Sequence, residues 1–340
     1  MNIAVYALTR QGLILAGKLA AGLGGTIHAP RRFASGEVQP FDSLSDTVAR
    51  TFAHYDGHVF VAASGIVIRC IFPHLSGKDV DPAVVCLDQG GRFAISLLSG
   101  HLGGANELAG QCAELVGGQA VITTATDSAG LVSLDVLADS KGLVIGNLDR
   151  VKVVNGALLD DQVVQIFDED DCLGLRNAPG FSVVSRRDDW KKGSPGVWVS
   201  FREDCTDTDA LRLYPRVLTL GVGCRRGVPE KDVSAHVRAV LGAAGLALSS
   251  IAALGSVDIK KDEVGLLEAA VNLGVEPVFF AREQLDAVDA PNPSGIVMRR
   301  IGIDSVAEAS AILLSRGGEL LVEKTKTQTV TLAVARRNIC

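Results

Sequence analysis

The chain has 340 residues and a formal charge of −6, enough length for two or three domains, each with its own core. A nucleic-acid backbone would call for a clustered basic surface, and this composition supplies none. The seven cysteines form no C-x-x-C pair and no even-numbered framework, which predicts a reducing, cytoplasmic setting and gives no zinc site.

The first twenty residues are apolar, but they lack a basic leader, and Arg10 and Lys18 interrupt them before a membrane-spanning length is reached. They read as a strand over 2–8 and a helix over 11–23. A second strand is expected over 58–63, leading through Ser64-Gly65 into a helix over 66–75. Residues 83–88 and 92–98 read as a hairpin around Gln89-Gly90-Gly91, 105–116 as a helix and 120–124 as a further strand. Residues 131–213 carry acidic clusters at 168–171 and 204–209 and a basic, turn-rich stretch at 186–195, expected to be solvated faces. A last α/β segment opens with a strand over 216–220, a loop over 221–227, Pro229 in a first helical turn and a helix over 231–244; residues 329–335 form its final strand. The expected fold class is α/β, with two α/β domains at the chain ends (1–130 and 214–340) and a smaller α+β middle domain (131–213).

Two glycine-rich segments stand out in the first domain. Ser64-Gly65 follows a buried strand and opens a helix, so its backbone N–H groups could hold a carboxylate; a plain turn capped by Ser64 is the alternative. Residues 99–106, Ser-Gly-His-Leu-Gly-Gly-Ala-Asn, place one ionisable base in a flexible loop before a helix. Glu107 could partner His101, or could simply favour the helix dipole. Thr123-Thr124-Ala125-Thr126-Asp127 ends a strand with hydroxyls and a carboxylate that could cap a helix or bind a polar ligand. In the last domain, Gly221-x-Gly223-x-x-x-Gly227 nearly matches a dinucleotide fingerprint, but no acidic residue ends the following strand. The preferred reading is a loop holding carboxylates through Gly223, Arg225 and Arg226. Lys260, ahead of Asp262 and Glu263 at a helix start, is a candidate carboxylate-facing cation. No G-x-S-x-G elbow and no H-E-x-x-H helix occurs.

Several of these segments carry a resemblance. The run 63–69, Lys78, residues 81–85, Gly91-Arg92-Phe93, the thirteen residues 97–109 and the run 123–127 resemble the N-terminal domain of the cobalt-precorrin-5A hydrolases, the cobalamin-biosynthesis proteins called CbiG. Residues 221–227, 260–266, 305–309 and 331–336 resemble the C-terminal part of the same family. The resemblance implies anaerobic cobalamin synthesis: a ring-A acetate δ-lactone on a cobalt tetrapyrrole is hydrolysed, and the methylated meso carbon leaves as acetaldehyde, giving cobalt-precorrin-5B. It implies no cofactor beyond the cobalt carried by the substrate, neighbouring pathway methyltransferases as candidate partners, and neither membrane nor nucleic acid. On this reading His101 is the base, Glu107 or Asp127 orients it or relays protons, and glycine-rich N–H groups hold the oxyanion. Ser64, Gly65, Arg69, Lys78, Ser99, Gly100, Gly103, Gly104, Asn106, Thr124, Gly223, Arg225 and Lys260 would bind the substrate's carboxylates and ring. The rival readings are a non-catalytic corrinoid-binding or channelling protein and a nucleotide-dependent oxidoreductase using the Gly221 segment.

Overall fold

The computed structural model describes residues 1–77, 80–101, 103–128, 130–289, 291 and 306–338. The chain packs as two compact units, 1–136 and 137–340. Among the described residues no helix is long and apolar enough to cross a membrane.

The first unit holds a seven-stranded sheet of β1 (Ile3–Ala7), β2 (Thr26–Pro30), β3 (Gln39–Phe41), β4 (Gly57–Val61), β5 (Ala83–Leu87), β6 (Phe93–Leu98) and β7 (Gln119–Val121), in the order β3-β2-β1-β4-β5-β6-β7. Strands β1, β4 and β5 are buried along their whole length, because helices cover both faces of the sheet. On one face, α1 (Arg10–Leu23) and α4 (Ala105–Val116) bury Ala16, Leu19, Leu108 and Ala109 against Val5, Val59 and Val85. On the other, α2 (Leu44–Thr51) and α3 (Ser64–Ile71) bury Val48, Val67 and Ile71 against Tyr6, Phe60 and Val84. Local chemistry sets the ends of α1: the Thr9 hydroxyl accepts from Gly12 N–H, and Gly24 closes the helix at φ +69°.

The expected hairpin is present, with β6 antiparallel to β5. The Asp88 carboxylate accepts from the N–H groups of Gly90 and Phe93 across the turn. This reversal matters for function. Leu98 pairs with Val84, which pairs with His58, so the end of β6 lies level with the start of β4. Strand β7 runs parallel to β6 and ends at the same edge. Ser64, which follows the far end of β4, is therefore on the opposite edge from Ser99, about 16 Å away along a five-residue strand.

The second unit contains two five-stranded sheets. In the middle one, β9 (Val164–Asp168), β10 (Phe181–Val183), β11 (Gly196–Val199) and β12 (Leu211–Pro215) run parallel, and β8 (Leu143–Ile145) is antiparallel at the edge, in the order β10-β9-β11-β12-β8. Its acidic runs are not simply solvated faces, as the sequence suggested. Asp168 is buried and accepts from the N–H groups of Cys172 and Leu173; its carboxyl is pushed up by burial. Asp207 is also buried and accepts from the Trp190 indole and Gly193 N–H. Both carboxylates close turns.

The last sheet is β13 (Leu218–Cys224), β14 (Ile251–Val257), β15 (Pro277–Phe280), β16 (Glu319–Lys326) and β17 (Val330–Arg336), in the order β15-β14-β13-β17-β16. Helices α8 (Glu230–Ala243) and α9 (Val264–Asn272) pack on it, as does the Val306–Ser315 helix. The segment expected to be a loop from Gly221 is strand as far as Cys224, paired with β17 through Cys224↔Val330. A Cβ on Gly221 would lie 1.8 Å from the Ala307 carbonyl oxygen, and one on Gly223 would lie 2.5 Å from Thr331 Oγ1. These glycines let other chain segments approach the strand, so Gly221 and Gly223 form no part of a phosphate-cradling loop.

Candidate functional site

The loop after β6 curls onto itself. Ser99 has φ +56° and donates its hydroxyl to the Asp81 carbonyl at 2.9 Å. Its own carbonyl accepts from Ala105 N–H at 3.0 Å, the Gly100 carbonyl accepts from Asn106 N–H at 3.0 Å, and Gly104, at φ +81°, donates to the His101 carbonyl at 2.8 Å. A Cβ on Gly103 would fall 2.3 Å from Ser99 Cβ, and one on Gly100 would fall 2.8 Å from Asn106 Oδ1. Glycine is thus required for the curl to close. One consequence departs from expectation: the Ala105 and Asn106 N–H groups are committed within the loop and do not serve an anion.

The curl presents His101 to the turn that follows β7. Nε2 of His101 lies 3.0 Å from Asp127 Oδ2 and 3.1 Å from Thr126 Oγ1. Nδ1 lies 3.3 Å from Ser133 Oγ and 3.7 Å from Asp135 Oδ2. The Asp127 carboxylate also accepts from Thr124 Oγ1 in a short bond and from Asn106 Nδ2 at 3.1 Å, while the same amide reaches Thr124 Oγ1 at 3.0 Å. Burial pushes the Asp127 carboxyl up, but bonds from Thr124 and His101 and the charge of the imidazole outweigh it and hold Asp127 below the usual carboxylate range. The Asp127 side chain is 41% exposed and that of Asp135 only 8%, so the imidazole stands between an open carboxylate and a buried one. Asn106 Oδ1 is buried with no hydrogen-bond partner among the described residues, which leaves an acceptor in the wall of the site.

Of the expected site residues, the structure brings together His101, Asp127, Asn106 and Thr124, on a loop shaped by Ser99, Gly100, Gly103 and Gly104. Glu107 is not among them: it is exposed on α4, where it accepts from Gln111 Nε2 at 3.0 Å. Ser64 and Gly65 open α3 at the opposite sheet edge. Ala63, not Ser64, occupies the cap position there, and the Arg69 guanidinium donates back to the Gly65 carbonyl at 2.8 Å. Lys78 lies outside the described residues. In the second unit Gly223 is a strand residue, Arg225 is exposed and donates its N–H to the Thr329 carbonyl, and Arg226 pairs with Asp262 at 3.0 Å. Lys260 is turned inward, 3.6 Å from the buried carboxylate of Glu263, which itself accepts from Gly227 N–H at 2.7 Å. It faces a carboxylate, but one belonging to the protein.

Sequence reasoning missed Ser133 and Asp135. Their Ser-x-Asp spacing at the start of α6 (Leu134–Ser140) reads as an ordinary helix-start pattern, and no local signal ties it to His101.

Comparison with known proteins supplies the remaining evidence. Models of the cobalamin synthesis G proteins match in chain order: the N-terminal model over residues 46–127, the central-region model over 132–215 and the C-terminal model over 218–335. A cobalt-precorrin-5A hydrolase from Salmonella typhimurium is 35% identical across 98% of this chain and 98% of its own. Another, from Priestia megaterium, is 28% identical across 98% and 94%. A solved cobalamin biosynthesis protein G homologue from Sulfolobus solfataricus aligns over 99% of this chain and 97% of its own, with 21% identity and a TM-score of 0.39. Three consecutive models, and identity of this order sustained along nearly the whole of both sequences, lead to one assignment: the chain belongs to the cobalt-precorrin-5A hydrolase family of cobalamin biosynthesis.

Proposed function

We propose that this protein is a cobalt-precorrin-5A hydrolase acting in cobalamin biosynthesis. The observation that carries the reading is the 35% identity to a relative of that name over 98% of both chains. The reaction opens the ring-A acetate δ-lactone of the cobalt tetrapyrrole and expels the methylated meso carbon as acetaldehyde, leaving cobalt-precorrin-5B. Both steps move protons. Water must lose one as it attacks the lactone carbonyl, and the ring must gain one where the carbon leaves.

The His101–Asp127 pair has the geometry for this traffic, with Nε2 and Oδ2 at 3.0 Å on the exposed side of the cluster. The loop's own N–H groups at Ala105 and Asn106 are already bonded, and the Asn106 amide and Thr124 hydroxyl donate to Asp127, so oxyanion stabilisation requires one of these side-chain donors to turn from Asp127 to the substrate. The cobalt belongs to the substrate, and no resident metal or cofactor enters the reading. A cytoplasmic setting suits the six described cysteines, all free thiols. Methyltransferases of the same pathway are the proposed protein partners, since they make and consume the substrate and product.

The test is anaerobic incubation with cobalt-precorrin-5A, with acetaldehyde followed through a coupled alcohol dehydrogenase and the corrinoid followed by mass. Acetaldehyde with the matching mass loss is expected, and His101→Ala should cut the rate by about 10²- to 10⁴-fold, as removal of a general acid–base group does. Tight binding without acetaldehyde would instead favour a corrinoid carrier.

A further inference from the structure

The inner side of His101 carries an arrangement that the reaction as described so far does not use. Ser133 Oγ lies 2.5 Å from Asp135 Oδ1 and 3.3 Å from His101 Nδ1, and Asp135 Oδ2 lies 3.7 Å from the same nitrogen. A carboxylate only accepts hydrogen bonds, and a serine hydroxyl has a single proton. That proton points to Asp135, so the Ser133 oxygen can offer Nδ1 only a lone pair. Nδ1 must then be the donor. The other nitrogen, Nε2, meets the Asp127 carboxylate at 3.0 Å on the exposed side, and because a carboxylate only accepts, that contact also holds a proton, shared between Nε2 and Oδ2, which is the one able to move while Nδ1 keeps its own.

We propose that Ser133 and Asp135 are positioning residues, which fix the Nδ1–H form and the orientation of His101 so that the reacting proton passes only through Nε2. The inference rests on the reading of His101 as the proton-transfer group. Both residues act through the imidazole, in the way that a buried partner on the far ring nitrogen sets tautomer and aim. Their place at the start of α6 anchors the clamp on regular structure.

The experiment has two readouts on the full-length protein. Histidine rings are labelled with ¹⁵N, and His101 is assigned by the signal lost in His101→Gln. The parent protein should show a protonated Nδ1. Asp135→Asn, whose amide can donate to Ser133 and release the serine proton toward Nδ1, should shift His101 toward the Nε2–H form, and Ser133→Ala should give a mixture. In the acetaldehyde assay both variants should lose about 10- to 100-fold in kcat, with KM within about twofold, and Ser133→Thr should recover most of the loss. A bare Nδ1 in the parent, or an unchanged tautomer in Asp135→Asn, would overturn the proposal. So would a kcat loss that merely follows a fall in thermal stability and that threonine does not restore. The tautomer readout needs no turnover. A parent protein that releases no acetaldehyde would sink the hydrolase reading and still leave the clamp to be judged by its spectrum.

Discussion

Two segments of this chain look alike as text, Ser99 to Asn106 and Gly221 to Gly227. Each follows a strand, is rich in glycine, carries a basic side chain and runs toward a helix. In the first, Gly100, Gly103 and Gly104 let the segment fold back between Ser99 and Asn106, and the curl delivers His101 to two carboxylates. In the second, Gly221 and Gly223 stay in a paired strand, and the missing Cβ at Gly221 makes room for the Ala307 carbonyl of a covering helix. A glycine says that something approaches closely. Whether the approach builds a site or a core depends on what approaches, and that comes from elsewhere in the chain.

The sharpest way to test this contrast is to add one methyl group at each place. Gly221→Ala puts a Cβ against backbone atoms of a packed helix, which cannot swing aside. It should destabilise the second unit by about 3 kcal/mol or more, the upper part of the overpacking range. Trp190 and Trp198, the two tryptophans of the chain, both belong to that unit, so urea unfolding followed by their fluorescence reads the effect directly. Gly103→Ala should leave that transition in place and lower acetaldehyde release at least tenfold, by forcing the curl open at Ser99. Equal stability losses in both variants, or an unchanged transition in Gly221→Ala, would erase the distinction.

The core of the first unit carries an acid-sensitive group. In the first unit His58 is fully buried, with Nδ1 3.1 Å from Tyr6 Oη and Nε2 3.2 Å from the Phe52 carbonyl oxygen. Burial pushes it down from the usual 6.5 to about 4, against the opposing pull of the Phe52 bond, and burial lowers His28 as well. Between pH 6.5 and 4 the unfolded chain therefore binds a proton that folded His58 refuses. Stability is whole above about pH 6.5 and falls by roughly 3 kcal/mol as the pH drops through that window. Amide exchange along β1 and β4 in urea series at pH 7 and 5 should show the loss, and His58→Phe should remove most of it. An equally steep loss in that variant would assign the acid sensitivity to other groups.

Much of the local structure was legible because local chemistry specifies it. The hairpin follows from two β-rich runs around Gln89-Gly90-Gly91, and α4 spans Ala105–Val116 because its apolar spacing and flanking glycines leave little choice. The grouping of His101, Asp127, Asn106 and Thr124 could be suspected, since each lies at a strand end or helix start. Sheet order was not legible. The antiparallel β6 sends Ser99 to one edge and leaves Ser64 at the other, and no local periodicity encodes that. Buried charge was equally hidden: Asp168 and Asp207 sit in acidic runs that read as solvated, yet each is held by N–H donors whose positions only the fold determines. Ser133 and Asp135 reach His101 only through the return of the chain after β7.

Glu107 is a residue to which the sequence allowed either a partnership with His101 or a plain helix-dipole role, and the structure places it in the second. It adjoins the His101 curl in the chain, but its carboxylate points along the exposed face of α4 to Gln111. Glu107→Gln keeps a hydrogen-bonding group at that spot and removes one charge from the first helical turn, a change of about 0.3–1 kcal/mol at most through the helix dipole. The variant should melt close to the parent and release acetaldehyde within about twofold of its rate. Because Asp127 already supplies the exposed carboxylate on Nε2, a second one has no proton to relay. A loss beyond tenfold with unchanged melting would mean that the substrate extends over the outer face of α4, and the site would have to be redrawn to include that helix.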